Sequence, residues 1–140
     1  MTRQKLSDAD YRRLLTVRTG LRSFFRWSER QAALAGLTPA QHELLLAVRG
    51  HDDPRGPTIS DLASHLLLRH HSVVGLVDRA DARGLVVREG EPEDHRVVRV
   101  RLSRDGERSL EALSAQHLEE LRRLAPDLQF LWQDLEVEPG

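Results

Sequence analysis

The chain of 140 residues contains no cysteine. That excludes disulfides, thiolate zinc sites, cysteine nucleophiles and thiol redox sensing. Long apolar runs are missing as well. The longest is Leu44 to Val48, whereas a membrane span needs about 20 apolar residues. The opening segment MTRQKLSDAD has no apolar centre, so no secretory signal is read. Catalytic signatures are equally absent: there is no Gly-x-Ser-x-Gly, no His-Glu-x-x-His and no glycine-rich phosphate loop. The compact cluster His51-Asp52-Asp53 falls in a turn-rich loop without rigid support. No internal repeat or low-complexity stretch is seen. The reading is a single cytoplasmic domain, 1–140, not an enzyme, with no cofactor and no membrane partner. Its 39% hydrophobic and 31% charged residues are a globular balance.

The net charge of −1 argues against a simple nucleic-acid sponge. The charge is nonetheless uneven. Residues 1–57 carry 10 basic and 6 acidic residues, and residues 105–140 carry 3 basic and 9 acidic. His95 to Arg104 holds four arginines and no acid. On charge alone this segment fits either a phosphate-binding surface or a solvated strand edge.

Hydrophobic period and capping signals place the elements. Ser7 with Asp10 is a capping-box pattern. Tyr11, Leu14, Leu15, Leu21, Phe24, Phe25 and Ala32 recur at three-to-four spacing, which predicts a helix over about 8–34, closed by Gly36. A helix this long calls for a partner chain to cover its apolar stripe. Thr38-Pro39-Ala40-Gln41 starts a second helix reaching about Val48, with Leu44, Leu45 and Val48 inward. HDDPRGP, 51–57, is a loop. Thr58-Ile59-Ser60-Asp61 starts a short helix through Leu67 that buries Ile59, Leu62, Ala63 and Leu66. A break near Leu68 and Arg69 follows. The next helix spans about 70–83, with Val73, Val74, Leu76, Val77 and Ala80 inward, and ends at Gly84.

The period then changes to two. Leu85 to Arg88 and Val98 to Leu102 read as a hairpin around the polar turn Glu91 to Asp94. Ser103 caps a helix through about Leu124. Pro126 is read as the start of a last short helix ending near Leu135, followed by a frayed tail. A helix-turn-helix followed by a β-hairpin is a winged helix. The fold class is therefore mainly α with a small β-hairpin wing, flanked by N- and C-terminal helices.

This order of elements carries a use. A major groove about 12 Å wide admits an α-helix. Residues 70–83 are the candidate for that helix, and its first turn presents Arg69, His70, His71 and Ser72. Its amides favour phosphate, and Gly75 leaves its backbone open to close approach. At the hairpin tip Asp94 and Arg96, two apart, point the same way. Asp94 can therefore brace Arg96 toward a narrow minor groove, with Arg99 and Arg101 along the backbone. An ordinary turn salt bridge is the alternative. The full set of candidate DNA contacts is Ser60, Arg69, His70, His71, Ser72, Arg79, Asp94, His95, Arg96 and Arg99.

The stretch from 76 to 110, LVDRADARGLVVREGEPEDHRVVRVRLSRDGERSL, resembles the recognition-helix end, wing and following helix of the multiple-antibiotic-resistance-regulator (MarR) family. The wing's Asp-x-Arg and the later Leu-Thr/Ser-x-x-Gly are Asp94, Arg96, Leu102, Ser103 and Gly106 here. LTPAQHELLLAV and ISDLASHL are similar to the family's second helix and its first helix-turn-helix element. The likeness covers about 10–125. It implies a DNA-binding transcriptional regulator, most often a repressor. As a homodimer it would bind a palindromic operator and be released by a small aromatic or anionic ligand. Residues 1–36 and 105–140 would form the dimerisation region, and 37–104 the winged lobe. An effector pocket between the first, second and fifth helices is implied, with Phe24, Trp27 and His42 as candidates. Their alternative is plain core. The family favours leucine at the place of Ala80, which predicts looser packing there.

Some relatives are zinc sensors with a histidine like His42 and a His-x-x-x-His pair in the fifth helix. Here His117 is flanked at four residues by Leu113 and Leu121, so the pair is missing and no metal site is assigned. A metal-responsive regulator and a winged-helix protein-interaction module stand as the alternative readings. Arg18, Arg22, Arg26 and Arg30 form an i, i+4 stripe about 18 Å long. It is either a solvated face or the counterpart of the acidic C-terminal region.

Overall fold

A computed structural model describes residues 4–133. It has five helices: α1 (Asp8–Leu34), α2 (Pro39–Gly50), α3 (Ile59–Leu66), α4 (His70–Ala82) and α5 (Arg104–Gln133). Strands β1 (Val86–Gly90) and β2 (Val98–Leu102) lie between α4 and α5. The fold is a winged helix, as the element order predicts.

Capping chemistry sets three of the helix starts. Ser7 with Asp10, Thr38 with Gln41 and Thr58 with Asp61 each form a reciprocal capping box, satisfying two otherwise orphaned amides apiece. Ser103 caps α5 by accepting from the Gly106 amide at 3.0 Å. The core lies where α2, α3, α4 and the hairpin converge with the first half of α5. Leu44, Leu45, Leu62, Val73, Val77, Val100 and Leu113 are fully buried there, each contributing about 2 kcal/mol by transfer from water. Ala80 is also wholly buried. Val74 departs from its expected inward position and is part-exposed at 36%.

β1 and β2 pair antiparallel, with Val86 opposite Leu102 and Gly90 opposite Val98. A third segment joins them. Thr58 bridges to Arg99, and the Val100 amide donates to the Pro57 carbonyl at 2.9 Å. The loop entering α3 is thereby sewn to the wing.

The expected break at Pro126 is not found: α5 runs through it to Gln133. Proline removes one amide and crowds the carbonyl four residues back, a cost of about 3 kcal/mol in a helix interior. Here that carbonyl belongs to Arg122, and both Arg122 and Pro126 are exposed, so water can take the lost bond. The predicted end near Leu135 and the tail lie outside the described residues. β1 starts one residue later than predicted and extends to Gly90.

The long outer helices differ from the core. On α1, Tyr11, Leu14, Leu15, Leu21 and Phe25 are 43–65% exposed, and Ala32 alone is buried. Leu118 and Leu121 of α5 are exposed too. The stripe read from the sequence is real, but a single chain does not cover it.

Gly106 explains its place in the motif after the wing. It is buried, and a Cβ added there would collide with the Leu85 carbonyl oxygen. That carbonyl also accepts from the Ser103 amide at 3.0 Å, so neither side can retreat. Gly106→Ala is expected to destabilise the fold by about 1–3 kcal/mol through overpacking. Thermal denaturation measures it, and an unchanged midpoint would refute the close approach.

Candidate nucleic-acid interface

α3 and α4 meet through a turn with one unusual residue. Leu67 is left-handed at φ 54, a conformation side chains rarely adopt, and is 90% exposed. It reverses the chain in a single step, so that Leu68 donates back to the Ala63 carbonyl at 3.1 Å. α4 then starts at Arg69, whose side chain makes no cap hydrogen bond. Every other helix start described above has a side-chain cap; here the Ser72 amide turns to the Arg69 carbonyl at 3.0 Å, and the amides before it have no side-chain cap and are open to an outside acceptor. Arg69, His70 and His71 are exposed around this end and Ser72 is part-buried.

A groove of about 500 Å³ runs between α4 and the wing. Ser60, His70 and Arg96, three of the predicted contacts, line it together, with Val74, Val97 and Val98 forming an apolar floor. Arg88 of β1 also lines it, and the sequence reading missed that residue. Its only sequence signal was an arginine among valines in a strand. Arg88 is paired with Asp78 of α4, which joins the two walls.

At the wing tip the predicted brace is present. The Asp94 carboxylate accepts from the Arg96 backbone amide at 3.1 Å and from its Nε at 3.2 Å. The Arg96 side chain is 92% exposed. A two-point grip at the root of an otherwise free guanidinium directs it without hiding it. His95 beside it is exposed. Arg79 is exposed as well, but its guanidinium sits 3.3 Å from where a Gly75 Cβ would be. The room above Gly75 is thus taken by Arg79, and the expected bare backbone is not available in this conformation.

Arg99 corrects the sequence reading. Its side chain is only 13% exposed and is bonded inward. It pairs with Glu91, donates to the Gly56 carbonyl at 2.8 Å and lies 3.7 Å from Asp53. Arg101 likewise turns back to Glu89 at 2.9 Å. The alternation that put both arginines on one face was right. That face looks onto the loop entering α3, whose carbonyls and carboxylates hold them. Arg55 and Arg99 keep the Asp53 carboxyl well below the usual carboxylate range, the Arg55 hydrogen bonds being the main cause. Nearby, His51 contacts His65 at 3.0 Å and Asp61 at 3.4 Å. Among the described residues no three His, Asp or Glu side chains are placed to hold a metal.

The other candidate residues gather at the junction of α1, α2 and α5. His117 is the hub. Its Nδ1 faces the Leu113 carbonyl at 2.7 Å, so that nitrogen carries the proton. A neutral ring then leaves Nε2 to accept from the Ser28 hydroxyl, at 2.6 Å. Trp27 meets the His117 ring edge-on and His42 meets it tilted, each with centroids 4.8 Å away, and Phe24 meets it edge-on at 6.0 Å. Beside the cluster opens a cleft of about 360 Å³ lined by Phe25, Ser28, Glu29, Pro39, His42 and Glu43. Of the three predicted lining residues, His42 lines the cleft, while Phe24 and Trp27 do not line it and pack on each other and on His117. Phe25 and Ser28 were missed, because neighbours one position away on a helix face differ by about 100°.

A winged helix is the class of fold that this architecture defines. The model of the MarR family matches residues 35–97. Solved structures share the whole fold. The MarR family transcriptional regulator AbsC from Streptomyces coelicolor is 23% identical, with a TM-score of 0.74 over 90% of this chain and 84% of that one. CouR from Rhodococcus jostii RHA1, bound to p-coumaroyl-CoA, is 23% identical, with a TM-score of 0.67 over 99% of both chains. A MepR variant from S. aureus bound to an oligodeoxyribonucleotide is 17% identical, with a TM-score of 0.66 over 94% of this chain and all of that one. No curated protein matches. The winged-helix region matches the MarR family model, and the chain shares the fold of solved MarR family regulators. No helix among the described residues is long and apolar enough to cross a membrane.

His42 yields a pH dependence. Burial, and then the neighbouring His117, hold its pKa below the ordinary imidazole value. Below about pH 6.5 the unfolded chain therefore binds a proton that folded His42 refuses. Its contribution is complete above that pH and is lost as the pH falls toward the folded pKa. The melting temperature should fall from pH 7 to pH 5, and His42→Asn should shrink the fall. An identical slope in the variant would show that His42 is not buried neutral.

Proposed function

We propose that this chain is a homodimeric regulator that binds a palindromic operator, represses from it, and is released by a small ligand. The observation that carries the DNA reading is Arg96. It is braced by Asp94, 92% exposed, and on the same groove as Ser60 and His70 of the helix-turn-helix. The uncapped start of α4 supports it, since free amides and a partial positive charge favour phosphate. α4 would read base edges through His71 and Ser72. Arg69 and Arg79 would contact phosphates, and His95 and Arg96 would reach the flanking minor groove. Arg99 drops out of this set and serves as the wing's internal brace.

The dimer reading rests on α1. Its exposed Tyr11, Leu14, Leu15, Leu21 and Phe25 form an apolar face that calls for a second copy. Residues 1–36 and 105–140 would make that contact, leaving 37–104 as the DNA-binding lobe. Two lobes would then meet half-sites about 34–36 Å apart, one helical turn. The cleft at His42 is the effector site of this reading. That CouR holds p-coumaroyl-CoA supports an aromatic or anionic ligand. The chain would act in the cytoplasm, without enzymatic activity, cofactor or bound metal.

The test is titration into labelled DNA from beside its own gene and into scrambled DNA, at two salt concentrations. Two chains per native site, with a steep salt slope, are expected. Arg96→Ala should weaken binding by about 1–3 kcal/mol, and His71→Ala should shift sequence preference. Equal affinity of Arg96→Ala would remove the wing from the mechanism. A ligand in the cleft should quench Trp27 fluorescence, with the change absent in Trp27→Phe. Quenching that persists in that variant would place the ligand elsewhere.

A further inference from the structure

The arginine stripe on α1 has no ion-pair partner among the described residues. Arg18, Arg22, Arg26 and Arg30 are exposed, and none forms an ion pair with any described residue. Elsewhere the chain pairs its arginines readily: Arg49, Arg55, Arg88, Arg99, Arg101 and Arg123 all meet carboxylates. The stripe is also not a separate hydrophilic face. Arg18, Arg22 and Arg26 line one shallow groove with Leu21, Phe25 and a single acid, Glu29, which forms no ion pair with them. Leu14 and Leu15, 54% and 65% exposed, stand one turn before Arg18. Covering the apolar residues covers the arginines too. Guanidinium groups taken out of water without an anion cost several kcal/mol each.

The surface therefore needs an occupant that is apolar and acidic together, and the chain carries one. Residues 105–140 hold nine acids against three basic residues. In the second half of α5 the exposed Leu118 and Leu121 stand beside Glu119. Beyond Gln133 the sequence continues Asp134-Leu135-Glu136-Val137-Glu138, alternating acid and apolar. Glu120 is already taken by Arg123 at 2.5 Å, so the carboxylates at hand are Glu119, Asp127 and the three past Gln133.

We propose that the arginine stripe of one subunit is the seat of the acidic C-terminal segment, Glu119 to Glu138, of a second copy. This rests on the homodimer reading and specifies its electrostatics. Each dimer would contain two such contacts, one stripe and one segment from each copy. Like charges at i, i+4 along α1 weaken the isolated helix. Interchain pairing removes that cost only in the assembled state, which makes the helix and the dimer interdependent.

Charge exchange tests it, read by sedimentation equilibrium at low and high salt with helicity checked by circular dichroism. The first variant is Arg22→Glu with Arg26→Glu. The second is Asp134→Lys with Glu136→Lys and Glu138→Lys. Each alone should raise the dimer dissociation constant about tenfold or more at low salt, and less at high salt. Mixed together they should recover near-parental affinity as heterodimers, because both contacts are then complementary. Variants that dimerise like the parent would overturn the proposal and leave the stripe solvated. Weakened variants that fail to rescue one another when mixed would place the pairing within one chain, which also overturns it. A parent chain that stays monomeric at all concentrations would instead sink the homodimer reading itself.

Discussion

The hydrogen bond from the Val100 amide to the Pro57 carbonyl holds the functional surface together. A two-stranded hairpin alone is at best marginally stable in water. This one is tied by its inner strand to the residue before the N-cap of α3, and Thr58, that cap, pairs with Arg99 on the same strand. The wing therefore cannot move without α3, and α4 follows α3 through the tight turn at Leu67. Arg99 reinforces the tie, reaching Glu91 at the wing and Gly56 and Asp53 in the loop. The distance from Arg96 to the start of α4 is set by these few contacts. A groove-reading surface needs that distance fixed before DNA arrives, since ordering it on binding would cost affinity.

The arginines divide by what they face. Those on the back of the wing and on the loop turn to carboxylates and act as structure. Arg69 and Arg79, at the α4 surface, have no ion-pair partner among the described residues. A net charge near zero is therefore compatible with nucleic-acid binding. The acids neutralise arginines that build the lobe, while Arg69 and Arg79 on the α4 surface, like the α1 stripe, stay without an ion-pair partner among the described residues. The total charge hides this division, and the local context of each arginine reveals it.

Much of the lobe was legible because its signals are local. A capping box, a proline at the first helical position and an alternating strand each act over four or five residues, and each formed where the spacing put it. The Asp94 brace was legible for the same reason, being a contact between residues two apart. The misreadings concern partners distant in sequence. Arg99 has the right face for a DNA contact, but the loop at 53–56 lies over it, more than forty residues away. Gly75 has the right residue type for close approach, but Arg79 folds across it. Pro126 carries the strongest local stop signal, yet the helix continues because its exposed position lets water satisfy the freed carbonyl. His117 was noted for what surrounds it in sequence. Its role as hub of an aromatic cluster depends on α1 and α2 arriving from elsewhere.

That hub joins the two halves of the molecule. Phe24, Trp27 and Ser28 belong to the helix whose outer apolar face is exposed in the single chain, and His42 belongs to the lobe. His117, from the helix that returns to the outer layer, touches all four. A ligand at this junction would bear on how α2, and the lobe with it, sits against α1 and α5. It would change DNA affinity only by the difference in its contacts between two lobe orientations. The cluster is suited to such a difference. Its packing is a few ring faces and one short hydroxyl–imidazole bond, all adjoining an open cleft. The core of the lobe is close-packed aliphatic and would resist distortion. The winged lobe is thus held by backbone ties and buried valines and leucines, and it meets α1 and α5 through an aromatic cluster.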